Sequence, residues 1–221
     1  MKKIKFNDIV IRTVLILYSV IVIYPLLWTA LTSLKTNQEF YKSPWALPGK
    51  LQWSNYVRAW VQVNVSIYFK NSVFVTGFCI VLAAIMASTT AYVLSRFKFR
   101  LGPYIKSLYV AGIMVPGVLM IIPTFFLLQN LNMYNSLFGL SAVYISWTLP
   151  FSVVVMMGFF STILHEMEEA ALIDGCGYYR MFLKIMLPLA KPGIITINIF
   201  NFLFYWNEFV LALTLITDKG K

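Results

Sequence analysis

Charge, histidine and cysteine are all scarce in this chain. Only 12% of the residues are charged, with one histidine and two cysteines, whereas roughly a quarter of a soluble domain is charged. Cys79 lies in an apolar run and Cys176 in a polar stretch, and no CxxC or Cys/His cluster is present. These absences argue against a disulfide framework and against a metal site. The sequence also lacks GxxxxGK[ST], so any nucleotide site must lie on another chain.

Long apolar runs are what the chain has in abundance, since 60% of its residues are hydrophobic. A helix needs about 20 apolar residues to cross the hydrocarbon layer. Five segments reach that length, namely 14–34, 72–94, 108–128, 137–160 and 194–216. The first is longer than the roughly 7 to 15 residues of a signal-peptide core. The sequence therefore predicts an all-α polytopic membrane protein embedded in the lipid bilayer.

The basic residues predict the orientation of these spans. The net charge of +10 is not arranged as a basic stripe with interleaved aromatic residues, so nucleic acid is not an expected partner. Lysine and arginine near span ends favour the cytoplasmic side. They crowd the N-terminus and the second connection, whereas the third connection, 129–136, carries no charge. The first connection argues mildly the other way, but its charges are spread through a longer loop. We expect a cytoplasmic N-terminus.

A polar stretch between the fourth and fifth runs predicts two short helices joined by a turn. The first helix is expected from Leu164 to Ile173, with acidic residues in its early turns. Gly175 can adopt a left-handed backbone conformation without steric cost, so it is expected to turn the chain. The second helix is expected from Tyr178 to Leu187, ended by Pro188.

The two sides of the first loop helix differ in character. Helical spacing places Ile163, Leu164, Met167, Ala170 and Ala171 on one side, which we expect to pack on the transmembrane bundle. Leu172 and Ile173 fall on the opposite side with His165 and Glu169. An apolar pair on an otherwise solvated face favours a protein partner. On periodicity alone, an amphipathic connector lying on the lipid headgroups is an equal alternative.

The spacing of this loop resembles the signature of permease subunits of ABC importers. The pattern is Glu-Ala-Ala, three residues, Gly, nine residues, Ile, one residue, Leu-Pro. It is carried by Glu169, Ala170, Ala171, Leu172, Ile173, Asp174, Gly175, Ile185, Leu187 and Pro188. The wider stretch 158–209 resembles the sugar-importing branch typified by the smaller permease of the maltose transporter.

The resemblance implies one type I ABC importer transmembrane domain over 1–221, with residues 161–193 as a coupling loop that docks into an ATPase subunit. It also implies four kinds of partner: a second homologous permease, an ATPase homodimer carrying ATP and Mg²⁺, an extracytoplasmic sugar-binding protein and the cell membrane. No cofactor is expected on this chain. Relatives have a sixth span, so we expect the chain to be C-terminally incomplete. Leu164 and Gly177 depart from the usual proline and serine.

A polar stripe is predicted along the fifth span. Asn198, Asn201, Tyr205 and Glu208 recur every three or four residues, and Glu208 is the only acidic residue inside any span. Intramembrane ionisable groups usually face a polar cavity or a partner, and residues 206–209 resemble a recurrent sugar-permease motif. The stripe is therefore a candidate wall of the transport path. Hydrogen bonding between neighbouring helices is an equally good interpretation.

Two other functional classes fit the sequence less well than an importer. An ion-driven secondary transporter predicts inverted repeats and several intramembrane charges, but the sequence has no repeat and one such acid. An intramembrane enzyme needs a convergent catalytic set, which the spans do not offer, and the lone His165 has no catalytic partner. Prolines within the spans, at positions 25, 116, 123 and 150, are expected to be ordinary kinks. Ala83, Ala87 and Ala91 predict close helix packing.

Overall fold

All regular structure in the described residues is helical. The computed structural model describes residues 6–218, and no strand occurs in that range. The basic residues before position 6, on which the orientation partly rests, and residues 219–221 lie outside it. The chain forms two compact units, 1–66 and 67–221.

The first unit is one long apolar helix followed by an ordered polar segment. Helix α1 covers Phe6–Ser33, α2 Asn37–Lys42 and α3 Ser54–Val61. Thr36 and Glu39 form a reciprocal capping box at the start of α2, and the backbone hydrogen bond from Thr36 lowers the pKa of the Glu39 carboxyl. The predicted first span is confirmed as a helix.

The second unit holds the remaining membrane-length helices and the loop between them. Helix α4 begins just before it, at Val65, and runs to Arg96. The further elements are α5 Gly102–Met114, a 3₁₀ turn Gly117–Met120, α6 Ile121–Asn130, α7 Leu137–Thr162, α8 Glu166–Ile173, α9 Tyr178–Met181, a π-helical segment Phe182–Met186, α10 Leu187–Leu189, α11 Lys191–Asn207 and α12 Val210–Leu215.

The predicted third span is not one helix. Helix α5 ends at Met114, and the chain bends by 97° before the helical stretch 117–130. Val115 and Pro116 both have extended backbone conformations. The conformation of Val115 follows from Pro116, because a proline ring disfavours the α conformation of the residue before it. The expectation of an ordinary kink at Pro116 is therefore wrong.

The predicted fifth span is also interrupted. Helix α11 ends at Asn207, Glu208 is extended, and the short helix α12 begins at Val210. Of the described helices, α1, α4 and α7 are each long and apolar enough to cross a membrane. Two bent pairs, α5 with 117–130 and 178–189 with α11, bring the number to five only if each pair crosses once.

Two clusters of buried side chains lie along α4 and α7. Ala83 belongs to one cluster, while Ala87 and Ala91 belong to the other, and all three are fully buried. The predicted small-residue face is thus confirmed as a packing face. The first cluster joins the N-terminal part of α7 to α12, and the second joins the C-terminal part of α7 to the loop after it.

Candidate functional site

The segment 161–193, called the docking loop below, turns where the sequence predicts. Gly175 has φ +75°. The Cys176 N–H donates to the Ala171 carbonyl at 2.9 Å, and the Gly175 N–H donates to the Leu172 carbonyl at 3.0 Å. These two bonds form a Schellman motif, the usual way a helix ends on a left-handed residue. The turn at Gly175 is confirmed, and α8 starts two residues later than the predicted Leu164.

The buried side of α8 differs from the predicted one. Ala171 is buried, as expected, but Leu164, Met167 and Ala170 are exposed within this chain. The short helix turns Glu168 inward instead, leaving its side chain 12% exposed. The predicted exposure of Leu172 and Ile173 is confirmed, because they are 43% and 86% exposed. An apolar pair thus projects from the loop without a partner in the described residues.

The second half of the docking loop is a continuous helical stretch from residue 178 to 189. Pro188 does not end it. The wide π turn 182–186 precedes the proline, which lacks the N–H that would continue an ordinary hydrogen-bond ladder. The chain then bends by 70° into α11. Met181, Met186 and Ala190 are buried in the cluster shared with α4 and α7, and Ile185 packs against it.

Arg96, the last residue of α4, contacts the docking loop at its base. Its guanidinium Nη2 donates to the Ile163 carbonyl at 2.6 Å, its Nη1 lies 3.1 Å from His165 Nε2, and its Nε lies 3.5 Å from Glu168 Oε1. Sequence reasoning assigned Arg96 only to the charge count and missed this role. One of the three acidic residues of α8 points inward, but helical periodicity alone does not distinguish it from the other two.

Aromatic rings attach the second loop helix to the same end of α4. The ring of Tyr92 lies 5.0 Å from that of Phe182 and 5.6 Å from that of Phe160. Phe97 contacts Tyr178 edge-on at 5.6 Å. Both arms of the docking loop therefore rest on the end of α4, one through a charged group and the other through rings.

Three of the four residues in the predicted polar stripe form a ladder of hydrogen bonds with α7. Asn201 is buried and its amide donates to Ser152 Oγ at 3.1 Å. Tyr205 and Thr148 share a bond between their hydroxyls. The third rung is Tyr144 to Glu208. The α7 residues are spaced by four, one helical turn, so successive turns of two antiparallel helices are joined.

Glu208 does not share a helix face with the other three residues, because it lies in the break after α11. Its carboxylate accepts hydrogen bonds from the backbone N–H groups of Leu211 at 2.7 Å and Ala212 at 3.0 Å. These are N–H groups of the first turn of α12, which have no partner inside their own helix. Glu208 therefore caps α12 in addition to completing the ladder. Sequence reasoning missed this break because no proline or glycine marks it.

Two cavities flank the ladder. One, of about 530 Å³, is bounded by Tyr144, Tyr205 and Glu208 and by the N-terminal part of α4, including Asn71 and Thr76; we call it the Glu208 cavity. The other, of about 810 Å³, lies at the break after α5 and includes Asn201 in its wall. Asn198 borders neither cavity, and its side-chain oxygen is buried without a hydrogen-bond partner among residues 6–218. The predicted stripe is thus divided between separate places.

Comparison with known proteins identifies relatives over nearly the whole chain. Residues 79–220 match the family described as binding-protein-dependent transport system inner membrane component. The chain is 42% identical over 210 residues to the diacetylchitobiose uptake system permease protein NgcG of Streptomyces coelicolor, covering 95% of this chain and 70% of that protein. It is 34% identical to the probable ABC transporter permease protein YurM of Bacillus subtilis, covering 93% and 68%.

A solved structure shares the fold. The chain superposes with a TM-score of 0.87 on a chain of a bacterial ABC transporter involved in the import of the acidic polysaccharide alginate. The two are 23% identical, and the superposition covers 100% of this chain and 78% of that one. The helical architecture expected from the sequence, that of an ABC importer transmembrane domain, is confirmed.

Proposed function

Because the chain belongs to the family of binding-protein-dependent transport system inner membrane components, we propose that it forms half of the pathway of an ATP-driven importer for a sugar or oligosaccharide. The observation that carries the proposal is the docking loop. It combines a rigid Schellman turn at Gly175, a base packed on the helical bundle and an exposed apolar pair, Leu172 and Ile173, at its surface.

An ATPase subunit is the partner that this surface fits. Leu172 and Ile173 offer apolar contact area, and the exposed Glu169 beside them can accept a charge-assisted hydrogen bond from a basic residue. ATP and Mg²⁺ belong to that partner, since this sequence has no phosphate-binding motif. ATP-driven closure of the ATPase dimer would move the docking loop and, through its packed base, the helices behind it. The docking loop would then lie in the cytoplasm, together with the N-terminus.

The proposed solute is a carbohydrate. Permeases similar to this chain are named for diacetylchitobiose uptake, sulfoquinovosyl glycerol transport and melibiose, raffinose and stachyose import. The Glu208 cavity carries amide, hydroxyl, carboxylate and aromatic groups, which are suited to hydrogen bonding and stacking with a hydroxyl-rich solute. We therefore keep Tyr205 and Glu208 as candidate pathway residues, and Asn198 and Asn201 as weaker ones.

The remaining proposed partners are a second, homologous permease and an extracytoplasmic sugar-binding protein. Family membership implies a binding protein, and one such chain supplies only one docking loop for the two subunits of an ATPase homodimer. An ion-driven transporter is disfavoured because the relatives belong to ABC systems.

Reconstitution tests the proposal. The chain, expressed with a second sugar permease and an ABC ATPase from the same organism, should copurify with both. In proteoliposomes, ATP hydrolysis should rise when the binding protein and its sugar are added on the side of the membrane opposite the ATPase. The sugar should then accumulate on the ATPase side. Sugar accumulation driven by an ion gradient without the ATPase would overturn the proposal.

A further inference from the structure

A single buried guanidinium joins three elements at the base of the docking loop. Arg96 ends α4, while the Ile163 carbonyl that accepts its hydrogen bond belongs to the residue that follows α7. His165 immediately precedes α8, and Glu168 lies within it. The side chains of Arg96 and Glu168 are 4% and 12% exposed. The contact is therefore an interior one rather than a mobile surface ion pair.

The arrangement needs the chemistry of arginine. A guanidinium is a planar fork whose N–H groups point in several directions at once, whereas the lysine ammonium is a compact point charge. Here Nη2 of Arg96 donates to a carbonyl and Nη1 lies within hydrogen-bond distance of His165, whereas Nε forms an ion pair with Glu168 without a hydrogen bond in the described residues. Since buried opposite charges are costly to separate, α8 has little freedom to shift against the ends of α4 and α7 while this contact lasts.

The same contact leaves two apolar side chains of α8 exposed. Leu172, one helical turn after Glu168, and Ile173 both remain exposed, and the contacts of Arg96 are made to other residues. Docking and transmission thereby use different side chains of one short helix. The apolar pair is available to a partner, while Glu168 fixes the helix to the ends of two membrane helices.

We propose that Arg96 is a positioning residue that makes α8 move as one body with the ends of α4 and α7, so that displacement of the docking loop reaches the transport path. The transport part of this inference rests on the proposed function. The mechanical part, a fixed geometry between α4 and α8, concerns this chain alone. Loss of Arg96 should therefore uncouple hydrolysis from uptake while leaving ATPase recruitment in place.

The first measurement compares sugar accumulated per ATP hydrolysed for wild type, Arg96→Ala, Arg96→Lys and Glu168→Gln in proteoliposomes. We expect the ratio to fall roughly fivefold or more in Arg96→Ala, which is the lower end of typical coupling between distinct sites. Arg96→Lys should retain only part of the wild-type ratio, and Glu168→Gln should give a ratio between those of wild type and Arg96→Ala. Arg100→Ala, an exposed basic residue in the following connection, serves as the control and should match wild type.

The Glu168→Gln variant separates an effect on stability from an effect on the position of α8. Arg96→Ala leaves Glu168 buried without its ionic partner, so it can reduce the amount of assembled protein. Glu168→Gln keeps the shape of the side chain and the bond from Arg96 to Ile163. A wild-type ratio of uptake to hydrolysis in Glu168→Gln and in whatever Arg96→Ala assembles would overturn the proposal.

A distance measurement remains decisive even if the transport assignment fails. Spin labels at the exposed positions Val93 on α4 and Met167 on α8 should give one narrow distance in wild type. That single distance should be lost in Arg96→Ala and Glu168→Gln but kept in Arg100→Ala. An equally narrow distance in all four proteins would show that Arg96 does not fix α8.

Discussion

The Tyr144 hydroxyl donates a 2.7 Å hydrogen bond to Glu208 Oε2, linking α7 to the break between α11 and α12. The carboxylate accepts two backbone N–H groups of α12 as well. One acidic side chain therefore holds a neighbouring helix and the start of the next helix, and it does so at the edge of a cavity. Because Glu208 both holds two helices and borders the cavity, different substitutions can separate its structural role from a role in transport.

Glu208→Ala removes all three hydrogen bonds and should lower the stability of the detergent-solubilised protein. A lost helix cap typically costs about 0.5 to 2 kcal/mol, and a hydrogen bond to a charged group about 1.5 to 3 kcal/mol. Thermal unfolding monitored by circular dichroism measures the loss. The neighbouring Asn207→Ala is the control, because Asn207 is exposed and its amide donates only within its own helix.

Glu208→Gln should assemble with its partners, because the amide oxygen can still accept from Tyr144 or from the start of α12. If Glu208 also contacts the solute, the variant should lower sugar uptake or change its selectivity in proteoliposomes. Uptake equal to wild type would leave only the structural role, and failure to assemble would also count against the pathway role.

Ser152→Ala should destabilise the bundle although it removes a single hydroxyl. Asn201 is 1% exposed and bonds to Ser152, so its amide would lose its partner in a buried place, at a cost of about 1 to 3 kcal/mol. The comparison is with Ser146→Ala on the same helix, because Ser146 is an exposed residue whose hydroxyl donates to the Val143 carbonyl of its own helix. Equal melting temperatures for the two variants would show that this rung of the ladder contributes nothing.

The proposed orientation is tested by cysteine labelling, after Cys79 and Cys176 are replaced. Lys98 and Leu131 are both exposed and lie in the second and third connections, respectively. Each is replaced by a single cysteine. An impermeant thiol reagent applied to intact cells should label only position 131. Labelling at 98 instead would reverse the orientation of the spans and would place the docking loop outside the cell.

Regular helices and the docking turn could be predicted from sequence because each has a local cause. The span of α7 follows from continuous apolar sequence, and the turn at Gly175 follows from glycine's freedom at positive φ. The break at Pro116 has a local cause, but proline alone does not predict it, because Pro25 and Pro150 lie inside continuous helices. The break at Glu208 has no such local marker. Apolar composition measures burial in lipid and not helix continuity, and the carboxylate that stabilises the second break acts through α7, a distant part of the sequence.

Only part of the candidate site could be predicted from the sequence, because local spacing decides some positions and long-range contacts decide others. Helical spacing places Leu172 and Ile173 away from the centre of the predicted packed side, and both are exposed. The inward position of Glu168 depends on Arg96, far away in the sequence, so spacing within α8 alone favoured apolar neighbours such as Met167 for the packed side. The packed side of α8 is therefore determined by a contact between residues far apart in the sequence and not by the local spacing.

Gly175→Val should misdirect the docking loop. A β-branched side chain is strongly disfavoured at φ +75°, even though no atom lies within 4 Å of the position its Cβ would take. We expect the variant to insert and pair with the second permease but to lose ATPase copurification. Gly175→Asn should retain it, because asparagine tolerates left-handed conformations. Gly177→Ala, at φ −69°, should also behave as wild type.

ATPase recruitment by Leu172→Asp tests the central claim most directly. Leu172 is exposed, contributes nothing to the buried clusters and lies beside Ile173 on the proposed docking face. A carboxylate there would be desolvated against an apolar partner surface, which is strongly unfavourable. The measurement is the amount of ATPase that copurifies with the assembled permease pair, with Tyr104→Asp, another exposed apolar-to-acid change on α5, as the comparison. The account predicts that Leu172→Asp loses the ATPase while Tyr104→Asp retains it, and wild-type copurification by Leu172→Asp would contradict it.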